Sequence, residues 1–399
     1  MKYTTILTIC ILFVLPSVHF GQIKLEYNAN IDFELSKAGG ISHFYYNEIH
    51  RDKTDWNFNA LEANLITKVI LHADWSINTR LMLQRNLGKS FNQFDVPLLN
   101  VQWKPDGKTY GLQLGRIINP FGSFNIKQIS TERDFIGRPL AYQYYVNVSP
   151  TLGYQFNLGE TRLEGLPYND WGSPILNYQG YASGIRFDWT IDPGKLNLGA
   201  ALTTGAANLN AVTTNPLHIG FSSRLSYQLT YYWKQGISIH YGGFMEEHTL
   251  TNDTDPLSSY TQLLLGTDYQ LGFGFFEISG EAIFARYTVP EFSFEDPIFV
   301  KSQTHTLGAF TSYCNIKYEP PFLSGSYLAY RLDGMWFGND DNNDQRQWDN
   351  GVVRHTLAAG YRMTEFLWIR GSVSTQITQN FAQWNDQLGA FRLMLTAFY

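Results

Sequence analysis

The sequence predicts an all-β chain folded as a transmembrane antiparallel β-barrel of about sixteen strands. Three observations predict it. Apolar and polar residues alternate with period two in segment after segment, each about the nine to eleven residues that a tilted strand needs to cross a bilayer. No apolar run of the mature chain approaches the roughly 18 residues of a membrane-spanning helix. Short turns alternate with longer polar connections, the layout of a barrel with short periplasmic turns and long outer loops.

The hairpin Tyr181–Thr204 is the unit that repeats. Tyr181, Ser183, Ile185, Phe187, Trp189 and Ile191 share one parity, and Ala182, Gly184, Arg186, Asp188 and Thr190 the other. A strand therefore presents one nearly apolar face and one small or charged face. In the turn Asp192-Pro193-Gly194-Lys195, proline presets φ and glycine supplies φ > 0. The second arm resumes with Leu196, Leu198, Ala200 and Leu202 against Asn197, Gly199, Ala201 and Thr203.

Taken in order, the chain opens with residues 1–21, which resemble a secretory signal: Lys2, an apolar core from Ile6 to Leu15, then Pro16 and small or polar residues, with cleavage expected near Gly21. Residues 22–399 then read as a single barrel domain. Ile23–Leu35 begins it, its odd positions apolar and its even positions polar, a pattern foreign to a helix. Strand pairs follow at Asn57–Leu71 with Trp75–Arg85, and Pro97–Lys104 with Tyr110–Ile117. After the longest irregular stretch, residues 119–177, comes the repeating hairpin. Further pairs are His218–Tyr231 with Gly236–Phe244, Tyr260–Gln270 with Phe275–Ala285, Gln303–Tyr318 with Ser324–Met335, and Val352–Arg362 with Phe366–Thr375. The last strand, Gln387–Tyr399, places Phe391, Leu393, Leu395, Ala397 and Tyr399 on one face. That ending resembles the signal read by the outer-membrane barrel assembly machinery, which implies that machinery as a partner in biogenesis.

Composition narrows the function. Charged residues are 16% of the chain, below the roughly 25% usual in soluble domains. A formal charge of -6 gives no footprint for nucleic acid. Cys10 lies in the signal core, so Cys314 has no partner and no disulfide framework exists. Enzyme motifs fail one by one. Gly88-Lys89-Ser90 ends like a phosphate loop, but Leu83 stands where its first glycine belongs. Gly272 and Gly274 begin a dinucleotide fingerprint that Glu277 breaks. Asp340, Asn342 and Asp344 are spaced like a calcium loop, but Gln345 replaces its glycine and Gly351 its bidentate glutamate. Neither H-E-x-x-H nor G-x-S-x-G occurs. The expectation is no enzyme, no cofactor and no metal.

The inward parity carries the chemistry. It holds Arg80, Arg186, Arg224, Arg331, Arg354, Arg370 and Arg392 with Lys24, Lys68 and Lys104, against Glu26, Asp32, Glu34, Glu62, Asp188, Glu277, Glu281 and Asp333. Bulky apolar side chains are expected to be scarce there, with Trp368, Met394 and Phe398 as exceptions. About sixteen strands enclose an aqueous lumen, so Arg80, Arg186, Arg224, Glu277, Glu281, Arg331, Arg354, Arg370 and Arg392 are expected to line a pore and set its field.

Leu114–Phe124, LGRIINPFGSF, adds a resemblance. Gly115-Arg116 followed by Pro120-Phe121-Gly122 is similar to the G-R-x-x-x-P-F-G motif of the phosphate-selective porins O and P, as is Gly137-Arg138-Pro139-Leu140-Ala141-Tyr142 to that family's loop. The resemblance implies a sixteen-stranded, usually trimeric channel whose third loop folds into the pore. Independently, residues 119–177 follow the third outward-running strand and carry Phe121, Phe124, Phe135, Tyr142, Tyr144, Tyr145, Tyr154, Phe156 and Trp171, surface that needs burial. The stretch is expected to act as a constriction or lid. Lys127, Arg133 and Arg138 against Glu132 and Asp134 would bias the field at the narrowest point.

These readings converge on a passive outer-membrane channel of a Gram-negative bacterium, embedded in outer-membrane lipid, for small hydrophilic solutes or ions. Two alternatives stand beside it: an occluded barrel serving as a structural or adhesive platform, and a secreted all-β protein acting on polysaccharide. Ion conductance separates the first from a channel, and a soluble fraction marks the second.

Overall fold

The computed structural model describes residues 23–38, 56–85, 91–150, 153–154, 172–176, 180–207, 219–245, 257–295, 298–340, 343–380 and 383–399. The signal-sequence reading of residues 1–21 lies outside them. Sixteen strands close into one antiparallel barrel. They are β1 (Lys24–Ala38), β2 (Asn57–His72), β3 (Trp75–Arg85), β4 (Phe91–Trp103), β5 (Tyr110–Ile118), β6 (Tyr181–Asp192), β7 (Leu196–Thr204) and β8 (Ile219–Thr230). There follow β9 (Trp233–Gly243), β10 (Thr261–Phe273), β11 (Phe276–Glu295), β12 (Ile298–Tyr318), β13 (Ser326–Phe337), β14 (Val352–Thr364), β15 (Leu367–Asn380) and β16 (Gln383–Phe398).

Each strand pairs with its sequence neighbours, and β16 returns to β1. The closing seam runs from Asn30 opposite Phe398 to Ala38 opposite Ala390. It is finished by Ala29 N–H donating to the Tyr399 carbonyl at 3.0 Å and Tyr399 N–H to that of Ala29 at 2.8 Å. The terminal aromatic is thus the last rung of the ladder, and the sheet has no open edge.

The faces sort as the alternation requires. Leu114, Ile185, Leu202, Ile237, Leu265, Leu332, Leu357 and Val373 are exposed on the outside. A continuous apolar belt of that kind suits lipid rather than water. At the short-turn end, aromatics gather: Trp75 with Trp103 at 6.4 Å between centroids, Trp103 with Tyr110 at 6.2 Å, Phe276 with Tyr318 at 4.7 Å and Tyr27 with Tyr399 at 5.7 Å. That is the girdle expected where a barrel leaves the hydrocarbon. Leu198 lies between Trp189 and Leu225 on the outer face. Leu202→Arg, on the same face between Ile185 and Phe221 and farther from the girdle, is therefore expected to cost about 2–4 kcal/mol in a bilayer. Asn197→Arg, on the inner face, should be nearly neutral for folding; equal losses in urea titrations of lipid-folded protein would mean the faces are exchanged.

Several strands run longer than expected, among them β4, β12 and β15, and two boundaries differ for a plain physical reason. The β8–β9 turn is Tyr231-Tyr232, since Thr230 pairs with Trp233, whereas the gap between His218–Tyr231 and Gly236–Phe244 places it around Lys234-Gln235. Tyr231 reads as the end of a strand, but here Tyr231 and Tyr232 turn the chain, their rings 4.9 Å apart in the aromatic girdle. Strand β11 runs to Glu295, well past Ala285. Tyr287 and Val289 continue it because they find apolar partners inside the barrel. The wall is consequently uneven: β5 and β7 have 9 residues each, β11 has 20 and β12 has 21.

Candidate channel interior

Because β5 stops at Ile118, the chain leaves the wall early and turns into the barrel. Two glycines of the G-R-x-x-x-P-F-G stretch hold backbone that a side chain would not fit, Gly115 within the strand and Gly122 in the turn that follows it. Gly115 sits at φ +125°, where a Cβ would lie 2.4 Å from the Leu99 carbonyl oxygen. Gly122, at φ +63°, would place a Cβ 2.7 Å from the Glu281 carboxylate. Arg116 donates to the Val96 carbonyl and lies 3.3 Å from Asp95, bracing the irregular part of β4.

The described part of the segment, from Asn119 onward, then crosses the interior. Gly122 N–H donates to Ser238 Oγ at 3.0 Å. Glu281 accepts from Ser123 N–H, from Ser123 Oγ at 3.0 Å, from Phe124 N–H at 2.7 Å and from the Tyr142 hydroxyl at 2.8 Å. On the opposite wall, Ser130 Oγ donates to Asp32 at 2.9 Å. The segment therefore reaches from β9–β11 across to β1.

Wall arginines hold its far half by the backbone. Arg370 donates to the carbonyls of Ser130 at 2.6 Å and Arg133 at 2.8 Å. Arg331 donates to that of Gly137 at 3.0 Å, and Arg354 to that of Arg138 at 2.6 Å. Arg354 also pairs with Asp333 at 3.1 Å. Arg80 bonds Glu62 at 2.7 Å and the Tyr181 hydroxyl at 2.8 Å, and Arg392 grips Glu34 at 2.6 and 3.0 Å. Tyr181, placed by parity among the lipid-facing residues, thus delivers its hydroxyl to the interior. Of the loop residues singled out from sequence, Asp134 pairs with Lys317 at 2.9 Å, and its carbonyl accepts from the Tyr327 hydroxyl. Arg133 is buried and donates to the Ile136 carbonyl at 3.2 Å. Arg138 reaches Gln128 at 3.3 Å and Glu62 at 3.7 Å. Lys127 is half-buried, and Glu132 is exposed.

The expectation that bulky apolar side chains are scarce inside is overturned. A packed cluster joins Phe121, Phe124, Leu140, Tyr142, Tyr144, Val146 and Val148 of the segment to Phe244, Tyr260, Leu264, Ile283, Tyr287, Val289, Leu307, Tyr313, Met335, Phe337 and Val352 of the walls. Inward positions on β10–β14 are apolar because the segment covers them; burying each large side chain contributes about 1.5–3 kcal/mol. The signal was present in β11, where Ile283, Ala285, Tyr287 and Val289 continue the parity of Glu277 and Glu281.

The other side stays polar. Between the start of the segment and β6–β8 lies a cavity of ≈ 180 Å³, bounded by Asn119, Asn125, Arg186, Asp188, Asn197 and Arg224 among others. Arg186 pairs with Asp188 at 2.6 Å and donates to the Ile118 carbonyl at 2.8 Å. Arg224 holds Asp268 through two bonds, at 2.9 and 2.7 Å. Both guanidinium side chains remain 18% exposed, against 2% for that of Arg80. Toward the short turns, Gln270 donates to Glu277 at 3.2 Å. Among the described residues no cluster of metal-ligating side chains occurs.

A closed sixteen-stranded barrel with short turns at one end and a segment folded inward after its fifth strand is a porin-type barrel. Solved structures agree. The fold is similar to the outer membrane channel DcaP of Acinetobacter baumannii, at 8% identity and a TM-score of 0.61 over 94% of this chain and 97% of that one. It is similar to an anion-selective porin from Comamonas acidovorans, at 9% identity and 0.60 over 95% and 100%. It also resembles Salmonella typhi OmpF, in a complex with daunomycin, at 10% identity and 0.56 over 94% and 98%. At these identities the likeness is one of fold, and it extends to porins generally rather than to the phosphate-selective group in particular. No family model and no curated protein matches the sequence.

Proposed function

We propose that this chain is an outer-membrane diffusion channel that passes small hydrophilic solutes or ions passively, with residues 119–177 as its constriction. The polar cavity beside the inserted segment carries the reading: a barrel built only as a platform has no need of charged side chains left partly wet at mid-wall. Among the residues expected to line the pore, Arg186 and Arg224 border that cavity, and Glu277 lies on β11 toward the short turns. The wall arginines Arg331, Arg354 and Arg370 instead position the constriction. The signal-like N-terminus, the terminal aromatic strand and the lipid-compatible belt support secretion, assembly by the barrel machinery and an outer-membrane location. A homotrimer is part of the same proposal.

The apolar cluster inside the barrel favours a second reading, an occluded barrel used as a platform. Planar-bilayer recording of purified, heat-modifiable protein decides. Discrete conductance steps support the channel; folded barrels that insert without any current leave the platform.

A further inference from the structure

The inward arginines do not all face the same environment. Those on β13–β16 are spent on the inserted segment and on wall carboxylates, and the gap left among Arg138, Arg331, Arg354 and Arg392 measures only ≈ 20 Å³. That is room for about one water molecule. The cavity along β6–β8, at ≈ 180 Å³, is the larger space by far. Its charged groups are already matched: Arg186 with Asp188, and Arg224 with Asp268, which is itself 3% exposed. One step closer to the short turns, Lys234 and Glu277 add one inward charge of each sign. Around these pairs stand hydrogen-bonding groups without formal charge, including Asn125, Thr190, Asn197 and Ser226, beside apolar surface from Pro120, Ile126 and Trp189. Thr190 Oγ1 donates to Asn197 at 2.9 Å.

We infer that solutes pass on the β6–β8 side of the inserted segment, through a filter of two self-neutralised Arg–Asp pairs suited to uncharged, hydroxyl-rich solutes. This rests on the channel reading above. The physical ground is the field: a ring dominated by one sign of charge selects ions of the other, whereas opposite charges paired a few ångströms apart leave only a short-range dipole. What remains is a wall of donors and acceptors that can replace the hydration of a polyol or sugar. Counting inward arginines alone would assign anion selectivity to this barrel, because the count includes guanidinium groups whose hydrogen bonds are consumed by backbone carbonyls.

The test uses the full-length protein folded in lipid, with Cys10→Ser and Cys314→Ser as background so that added thiols react alone. Asn197→Cys and Ser372→Cys, each still heat-modifiable, are treated in planar bilayers with a cationic, membrane-impermeant thiosulfonate. Labelling at Asn197 should lower the single-channel current stepwise and move the zero-current potential in a KCl gradient toward anion preference. Labelling of Ser372→Cys, which borders the small gap on the other side, should change neither. In the unmodified barrel that potential should lie close to zero, and proteoliposomes should swell faster in arabinose than in gluconate. Asp188→Asn should move the potential toward anion preference without any label. Block from Ser372, alone or alongside Asn197, overturns the path, and strong ion preference in the unmodified barrel overturns the neutral filter. Absence of current in every variant overturns the channel reading itself.

Discussion

Glu281→Ala is expected to loosen the inserted segment and turn a steady current into a noisy one, while the barrel stays heat-modifiable. Glu281 is 1% exposed and accepts from Ser123 N–H, Ser123 Oγ, Phe124 N–H and the Tyr142 hydroxyl. Removing the carboxylate leaves those donors without an acceptor, and each buried orphan costs about 1–3 kcal/mol. The loss is at least about 3 kcal/mol, confined to the segment because the strand ladder of β11 uses backbone groups only. It competes with the apolar anchorage of Phe121, Phe124, Leu140 and Tyr142, each contributing about 1.5–3 kcal/mol. The apolar sum is the larger, so the segment should fluctuate rather than leave the lumen. Single-channel recording should show frequent brief openings above the parent level, and trypsin should cut sooner after Lys127 or Arg133. Glu281→Gln, which keeps one acceptor and the side-chain volume, should fall between. Steady currents and unchanged proteolysis in Glu281→Ala would mean that the apolar cluster alone fixes the segment.

Legibility in the sequence followed the kind of atom that does the work. Barrel and strand order were readable because alternation is a property of side chains: Ile185, Phe187 and Trp189 against Arg186 and Asp188 state the two faces outright. The inward course of the chain after Ile118 was expected from the porin-like motif Gly115-Arg116 with Pro120-Phe121-Gly122 and from the aromatic content of residues 119–177. The inward direction of Arg331, Arg354 and Arg370 was readable too, but their partners were not. Each binds a carbonyl oxygen of the segment, and every residue carries the same carbonyl, so nothing in Ser130, Arg133, Gly137 or Arg138 announces the contact. The apolar interior escaped notice for a related reason. Ile283, Tyr287 and Val289 lie on the face that a water-filled lumen would keep polar. Only the presence of an apolar segment across from them makes that face a core.

Deleting Ser130–Tyr144 and rejoining the chain is expected to raise single-channel conductance by roughly two-fold or more, because sixteen strands enclose a lumen wide enough for water once uncovered. The barrel itself should survive, since closure depends on the β1–β16 seam and not on the segment. The deletion also removes the carbonyls that Arg331, Arg354 and Arg370 bind, and the hydroxyl that Ser130 offers to Asp32. Arg354 keeps Asp333, and Arg392 keeps Glu34. Arg331 retains Asn315 at 2.7 Å and the charge of Asp333, which it shares with Arg354, so this two-arginine, one-carboxylate group faces the widened lumen with a surplus positive charge. The shortened channel should therefore gain anion preference as well as conductance, read as a shift of the zero-current potential in a KCl gradient. Adding Arg331→Gln to the deletion should remove most of that shift and leave the conductance high. If the shortened, still heat-modifiable barrel conducts no better than the parent and shows the same ion preference, residues 130–144 do not constrict the path, and the constriction proposal fails.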